Sequence, residues 1–309
     1  MSTLIVTHTS GLEHDTGPMH PESPDRLRSV LKALNQSAFK DVPREDAPLA
    51  TAEQVARAHP GDFFAKLQAI IPTSGSRHID PDTVVSAGSG QAMIRAAGAV
   101  VRAVDAVAMG QARNAFCAVR PPGHHAESSR AMGFCLINNA AVGAYHARAV
   151  HGYKRVAVVD FDVHHGNGTQ EIFWDDADAF YASTHQYPFY PGTGGRAEKG
   201  AHGNVVNVPL PSGSRGDVFR GGMRDEVLPA LTAFKPDIIL ISAGFDAHKD
   251  DPLASLGFVE ADYAWATAAL MDVATNVCGG RVVSLLEGGY NLDALGASVT
   301  AHVQTLKDH

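Results

Sequence analysis

The run VVDFDVHHGNGTQ, Val158 to Gln170, sets two aspartates and two histidines where a buried strand would end. Burying charge is costly unless something pairs with it. Side chains alternate along a strand, which predicts Asp160, Asp162 and His164 on one face. Carboxylate oxygen and imidazole nitrogen suit zinc and related divalent ions. An Asp–His hydrogen-bonded cluster without metal uses the same residue types, so D-x-D-x-H alone leaves both readings open. Asp246 shifts the balance. It lies just past the apolar run DIILISAGF, where a carboxylate needs a partner. Asp162, His164 and Asp246 would give three ligands and leave a position for water, the layout of a catalytic zinc site. Asp160 would then support the ligands or serve another cation.

Two further groups could complete a hydrolytic centre. His124 and His125 follow Pro-Pro-Gly in RPPGHHAE. One of them could take a proton from a metal-bound water and return it to a leaving amine; two surface histidines in a polar loop are the alternative. Tyr290, in EGGYN, could donate to a developing oxyanion. By itself it reads equally as a packed core tyrosine.

The elements that would position these groups are Val- and Ile-rich runs: TLIVTH, NAFCAVR, RVAVVDFD, AFYAST, VVNVPL, DIILISAG and RVVSLLEGG. Their near-continuous hydrophobicity is that of parallel strands buried on both faces. Helical patterns fall between them at about 24–36, 51–70, 89–109, 138–151, 216–234, 260–278 and 292–306. The alternation predicts an α/β fold with a mainly parallel sheet. Such sheets carry their sites beyond the carboxyl ends of the strands, which is where the polar clusters fall.

The chain has 309 residues, 45% hydrophobic and 19% charged, enough for one large globular domain over 1–309. A net charge of −8 and no basic patch argue against nucleic-acid binding. The N-terminal residues lack a signal-peptide pattern, and the apolar helix at 89–109 is broken by Arg95, Arg102 and Asp105, so no membrane span is expected. Three cysteines without a CxxC pair fit a reducing cytoplasm. Of the 16 histidines, most show no ligand spacing.

In order along the chain, HPESPDR, RPPGHH, GFCLINN, DFDVHHGNGTQ, PGTG, SAGFDAHKDDPL and LEGGYN resemble the zinc-dependent histone deacetylase family, with its acetylpolyamine amidohydrolases and acetoin-utilisation proteins. DVHHGNGT and LEGGYN resemble the class II branch and its bacterial relatives. The resemblance implies the arginase/deacetylase α/β fold and zinc on Asp162, His164 and Asp246. It makes His125 the general base and acid. His124 becomes its electrostatic partner on Asp160, Asn167 the group that orients His125, and Tyr290 the catalytic tyrosine. It further implies an acyl-lysine slot of Gly133, Phe134 and Tyr190, where the family usually has Phe rather than Tyr at the last position. Asp82 would bind substrate backbone at the rim, and Arg26 would sit in an internal acetate channel. Potassium would bind Asp160, Asp162, His164, Ser183 and Thr184, with a second cation near Phe173, Asp176, Ala179 and Asn204.

The expected substrate is an acyl-lysine peptide or protein; an acetylated small amine is the alternative. Leu253, seven residues past Asp246, stands where polyamine-selective class II members carry an acidic gatekeeper. A dimanganese ureohydrolase would need a D-x-H-x-D set that DFDVHHGNG does not supply. A non-catalytic acyl-lysine binding module could dispense with Tyr290 and the histidine pair. A homo-oligomer is compatible with the sequence.

Overall fold

A computed structural model describes residues 2–309. The seven predicted strands form as β1 (Thr3–Thr7), β5 (Asn114–Ala118), β6 (Val156–Asp160), β7 (Ala179–Gln186), β8 (Val205–Leu210), β9 (Ile238–Ala243) and β10 (Val282–Leu286). Three strands of three residues each are too short to stand out in the sequence: β2 (Arg44–Asp46) and β3 (Ser76–His78), which are polar, and β4 (Val84–Ser86), whose apolar part is only Val84-Val85. β2 is a charged edge strand, a composition that discourages further pairing. β3 and β4 pair with each other as a separate antiparallel hairpin.

The main sheet has eight strands in the order β2-β1-β5-β10-β9-β6-β7-β8, and every pairing in it is parallel. Alternate residues of β6 serve two different cores. Val156 and Val158 pack into one cluster, and Ala157 and Val159 into the other. Burial on both faces explains the continuous hydrophobicity of these strands.

Helices cover both faces. They are α1 (Pro24–Leu34), α2 (Ala52–Ala56), α3 (Phe63–Ala69), α4 (Ser89–Ala108), α5 (Asn139–His151), α6 (Asn167–Phe173), α7 (Gly216–Gly222), α8 (Leu228–Phe234), α9 (Glu260–Cys278) and α10 (Leu292–Asp308). A π-helical turn, Met223–Val227, joins α7 to α8. α2 to α5 pack on the Val156 side, and α1, α9 and α10 on the Ala157 side. The helix expected over 51–70 is split into α2 and α3 because Pro60 and Gly61 fall between them, and proline breaks a helix interior. α1 starts at Pro24 after Ser23, as a proline at the first helical position predicts, although Ser23 makes no side-chain capping bond. No described helix is long and apolar enough to cross a membrane.

Candidate active site

The four central strands β5, β10, β9 and β6 are neighbours, and each delivers part of one constellation at its carboxyl end. β6 ends at Asp160, and the chain then bends rather than staying extended. The bend is held by the aspartates themselves. Asp160 Oδ1 accepts from Asp162 N at 3.1 Å, and Asp162 Oδ1 accepts from His164 N at 2.9 Å. Asp162 and His164 thereby turn toward Asp246, just beyond β9. His164 Nδ1 lies 3.1 Å from Asp162 Oδ1 and 3.2 Å from Asp246 Oδ2. The three ligand atoms fall within 4.8 Å of one another. The other carboxylate oxygens are already engaged: Asp162 Oδ2 accepts from Gly288 N at 2.8 Å, and Asp246 Oδ1 from Val163 N at 2.8 Å. Burial, and then the neighbouring Asp162, push the Asp246 carboxyl up to about 7. Two buried carboxylates and one imidazole aimed at a common point are a donor set that fits a divalent cation. A Cβ on Gly288 would lie 2.1 Å from Asp246 Oδ2, so only glycine lets β10 come this close.

The adjacent histidines follow β5 and have different partners. His124 Nδ1 donates to the Asp160 carboxylate at 2.9 Å. Burial opposes its charge, but Asp160 and Asp162 outweigh that and raise His124 to about 10. His125 Nδ1 donates instead to the neutral Asn167 amide, Oδ1 at 2.8 Å. The amide is oriented by Glu127, whose Oε1 accepts from Asn167 Nδ2 at 2.9 Å. Burial, then the charge of His124, hold His125 well below the usual histidine range. His125 is therefore a neutral imidazole whose Nε2 lone pair is free to take a proton, beside a partner that stays charged.

A narrow cavity of ≈ 90 Å³ opens above this group. Gly133, Phe134, Tyr190, Asp82 and Leu253, the residues expected to contact substrate, all line it together with His125, His164 and Tyr290. The Tyr190 ring meets His125 edge-on at 5.2 Å, and Phe134 meets Tyr290 at 5.9 Å. Phe189 stacks on His164 at 5.4 Å, an aromatic contact the sequence reading did not assign. Asp82 is held within the rim, its Oδ1 accepting from Gly133 N at 3.2 Å and from the Thr83 hydroxyl at 2.9 Å. A larger open cleft of ≈ 880 Å³ between residues 213–224 and 249–262 carries none of these groups.

Arg26, expected in an internal channel, lies behind Tyr290. Its guanidinium carbon is 4.9 Å from the tyrosine ring centroid. It donates to the carbonyls of Gly289 (2.6 Å) and Glu287 and to Glu22 Oε1 (2.9 Å). Arg120 joins the same buried Glu22 through Nη2 at 2.7 Å.

Three carboxylates that support the site were not singled out from the sequence. Glu127 orients Asn167. Glu287 Oε2 accepts from Gly123 N at 2.7 Å and His124 N at 3.2 Å, fixing the turn under the histidine pair; burial raises its pKa to about 7. Asp251 accepts from Tyr290 N at 2.7 Å through Oδ2 and from Leu253 N at 3.0 Å through Oδ1, tying the tyrosine to the rim. Glu127 and Glu287 sit inside the motifs RPPGHHAE and LEGGYN, and Asp251 inside DDPL, so position in a motif was the available signal.

Among the candidate potassium residues, Asp160 pairs in register with Ser183 across β6 and β7. Asp160 Oδ2 also accepts from Tyr181 OH at 3.1 Å. Thr184 Oγ1 is buried without a hydrogen-bond partner, an oxygen that a cation would satisfy. The His165 and His185 rings stand 4.8 Å apart and bond outside the Asp162–His164–Asp246 set, His165 to Thr193 and His185 to Ser183. His146 and His151, which show no ligand spacing, meet on Asp105 Oδ1 at 2.8 and 2.7 Å. Arg57 Nη1, 2.6 Å from His146 Nδ1, makes that nitrogen an acceptor, so Nε2 carries the proton to Asp105 and the cluster is a hydrogen-bonded network.

The histone deacetylase domain matches residues 20–306. An uncharacterised protein of Synechocystis is 39% identical over 98% of both chains. The histone deacetylase-like amidohydrolase of Pseudomonas aeruginosa is 39% identical over 88% of this chain and 73% of its own. A probable deacetylase of Archaeoglobus fulgidus is 37% identical over 95% and 82%. The crystal structure of the HDA15 HD domain superposes with a TM-score of 0.92 at 36% identity, over 100% of this chain and 89% of that one. The chain belongs to the histone deacetylase family. Its fold is of the α/β class, and the family makes it a hydrolase of the deacetylase and amidohydrolase kind.

Proposed function

We propose that this protein is a zinc-dependent amidohydrolase, one catalytic domain over 1–309, that removes acetyl groups from Nε-acyl-lysine and releases acetate. The observation that carries the reading is His125, held by the Asn167 amide, beside an acidic three-ligand site at the foot of an aromatic slot. Asp162, His164 and Asp246 would hold the zinc. When bound, zinc supplies a Lewis acid for the acyl carbonyl and a more acidic water.

The chain supplies the rest. His125 Nε2 takes the proton of the attacking water and later returns a proton to the leaving amine. His124 stays charged on Asp160, which discourages His125 from being protonated before the reaction starts. The Tyr290 hydroxyl donates to the developing oxyanion; burial keeps it protonated, well above the usual tyrosine range. Phe134 and Tyr190 wall the apolar methylenes of the lysine. Potassium beside Asp160, Ser183 and Thr184 would steady this end of β6 and β7.

Leu253 at the rim favours acyl-lysine over acetylpolyamine, because leucine gives a distal ammonium nothing to bind. Side-by-side kinetics on an acetyl-lysine peptide and N-acetylputrescine, with and without chelator, test this. Chelator-sensitive acetate release and the higher kcat/KM on the peptide are expected. A strong preference for the acetylated diamine would overturn the substrate assignment. Release unaffected by metal removal would overturn the zinc assignment.

A further inference from the structure

The bend between α6 and β7 aims three main-chain oxygens at one point. They are the carbonyls of Phe173, Asp176 and Ala179, and at that point stands the side-chain nitrogen of Asn204. Asn204 Nδ2 lies 2.9 Å from Phe173 O, 3.2 Å from Asp176 O and 2.8 Å from Ala179 O. Asn204 is only 4% exposed, so the cage is shut off from bulk solvent. Converging carbonyl dipoles repel one another unless a cation or a donor stands between them. The same residues are those that the family resemblance assigns to a second cation.

The orientation of the amide is set chemically. Carbonyl oxygens only accept, so the NH2 end must face them. The other end agrees: Asn204 Oδ1 accepts from His202 N at 3.3 Å. It also packs against Gly200, which has φ +71° and where a Cβ would lie 2.4 Å from that oxygen. The main-chain oxygen of Asn204, which would be a fourth ligand, accepts from Tyr181 N at 3.0 Å.

We propose that the Asn204 amide is the permanent occupant of this cage, standing where a monovalent cation would otherwise bind, so that this point of the fold needs no potassium. A nitrogen donor and a large alkali cation can use the same shell, because both are satisfied by carbonyl oxygens roughly 3 Å away. An attached donor also has no concentration dependence, whereas the stabilisation from a bound ion rises and falls with the ion's concentration. The amide ties the end of α6 to the start of β8. Asn167, which orients His125, is the first residue of α6, so the tie steadies the helix on which the base depends.

Thallium(I), an anomalously scattering surrogate for potassium, tests this directly. Crystals of the wild-type protein soaked in thallium should show no peak among the carbonyls of Phe173, Asp176 and Ala179. A peak there would overturn the proposal without any variant having to fold. The second arm compares Tm in potassium chloride and choline chloride at equal ionic strength, for wild type and Asn204→Ala. Potassium bound beside Asp160 affects both proteins alike and drops out of the difference. The variant should depend on potassium more strongly, by a few degrees in Tm. Equal potassium sensitivity of the two proteins would show that the amide does not replace an ion.

Discussion

Gly133→Ala is the most incisive probe of how the base is held. Gly133 has φ +59°, and a Cβ built there would stand 2.6 Å from His125 Cδ2 and 2.7 Å from Cγ. Ordinary contact begins at 3.4 Å, so the ring or the loop must give by about 0.8 Å. The ring has little freedom. Asn167 Oδ1 holds it at 2.8 Å, and the rings of His124 and Tyr190 flank it at 4.0 and 5.2 Å. Misplacing a reacting group by about 1 Å costs on the order of 100-fold in rate. Alanine in the left-handed region adds roughly 1–2 kcal/mol of strain, which should lower Tm by a few degrees. The assay is kcat on an acetyl-lysine peptide, with bound zinc measured by elemental analysis and Tm by calorimetry. The expected result is kcat down by about 100-fold, zinc content unchanged and Tm slightly lower. A variant with near-wild-type kcat and the expected drop in Tm would refute the reasoning, because the strain would be present while the base was unaffected.

Asp251→Asn should lower kcat by about tenfold, because an amide offers one oxygen where Tyr290 N and Leu253 N need two. Combined with Tyr290→Phe the losses should be strongly non-additive; additive losses would separate Asp251 from the tyrosine. Acid should destabilise the fold through histidines that fold neutral. Burial lowers His59 to about 4 and His302 to about 3. Both folded values lie below the unfolded one near 6.5, so the unfolded chain binds more protons and stability falls as pH drops from about 6.5 toward 4. His59 alone would contribute up to about 3 kcal/mol of that loss. His59 Nδ1 donates to Ser128 O and Nε2 accepts from Asn138 N, leaving no room for a second proton. Denaturant midpoints across this range should show a shallower slope for His59→Gln; an unchanged slope would clear His59 of the effect.

Much of the site is legible because its signals are local. The D-x-D-x-H run makes its own bend, each aspartate taking the amide two residues on. The apolar runs that become β5, β6, β9 and β10 mark the strand ends where chemistry collects. The role of Asn167 came only with the motif resemblance, and for Tyr290 the resemblance chose between the oxyanion donor and the packed core tyrosine that EGGYN left open. Other features escaped because nothing periodic announces them. β2 has no apolar run, and the split between α2 and α3 depends on one proline. α6 begins inside a stretch that reads as strand and turn.

The sequence by itself determined which residues can bind metal and move protons, because ionisation and ligand chemistry belong to residue type. It also determined the alternation of strand and helix, because hydrophobic period is written along the chain. Only the tertiary structure decided which of these groups meet. Asp162 and Gly288 bond across 126 positions, and Arg120 and Glu22 across 98. The first exists because β10 lies one strand from β6, with β9 between them, and the second because β1 pairs with β5, an order that chain sequence does not spell out. The different fates of His124 and His125 were decided in the same way. Two adjacent, chemically identical side chains differ because one faces a carboxylate and the other an amide.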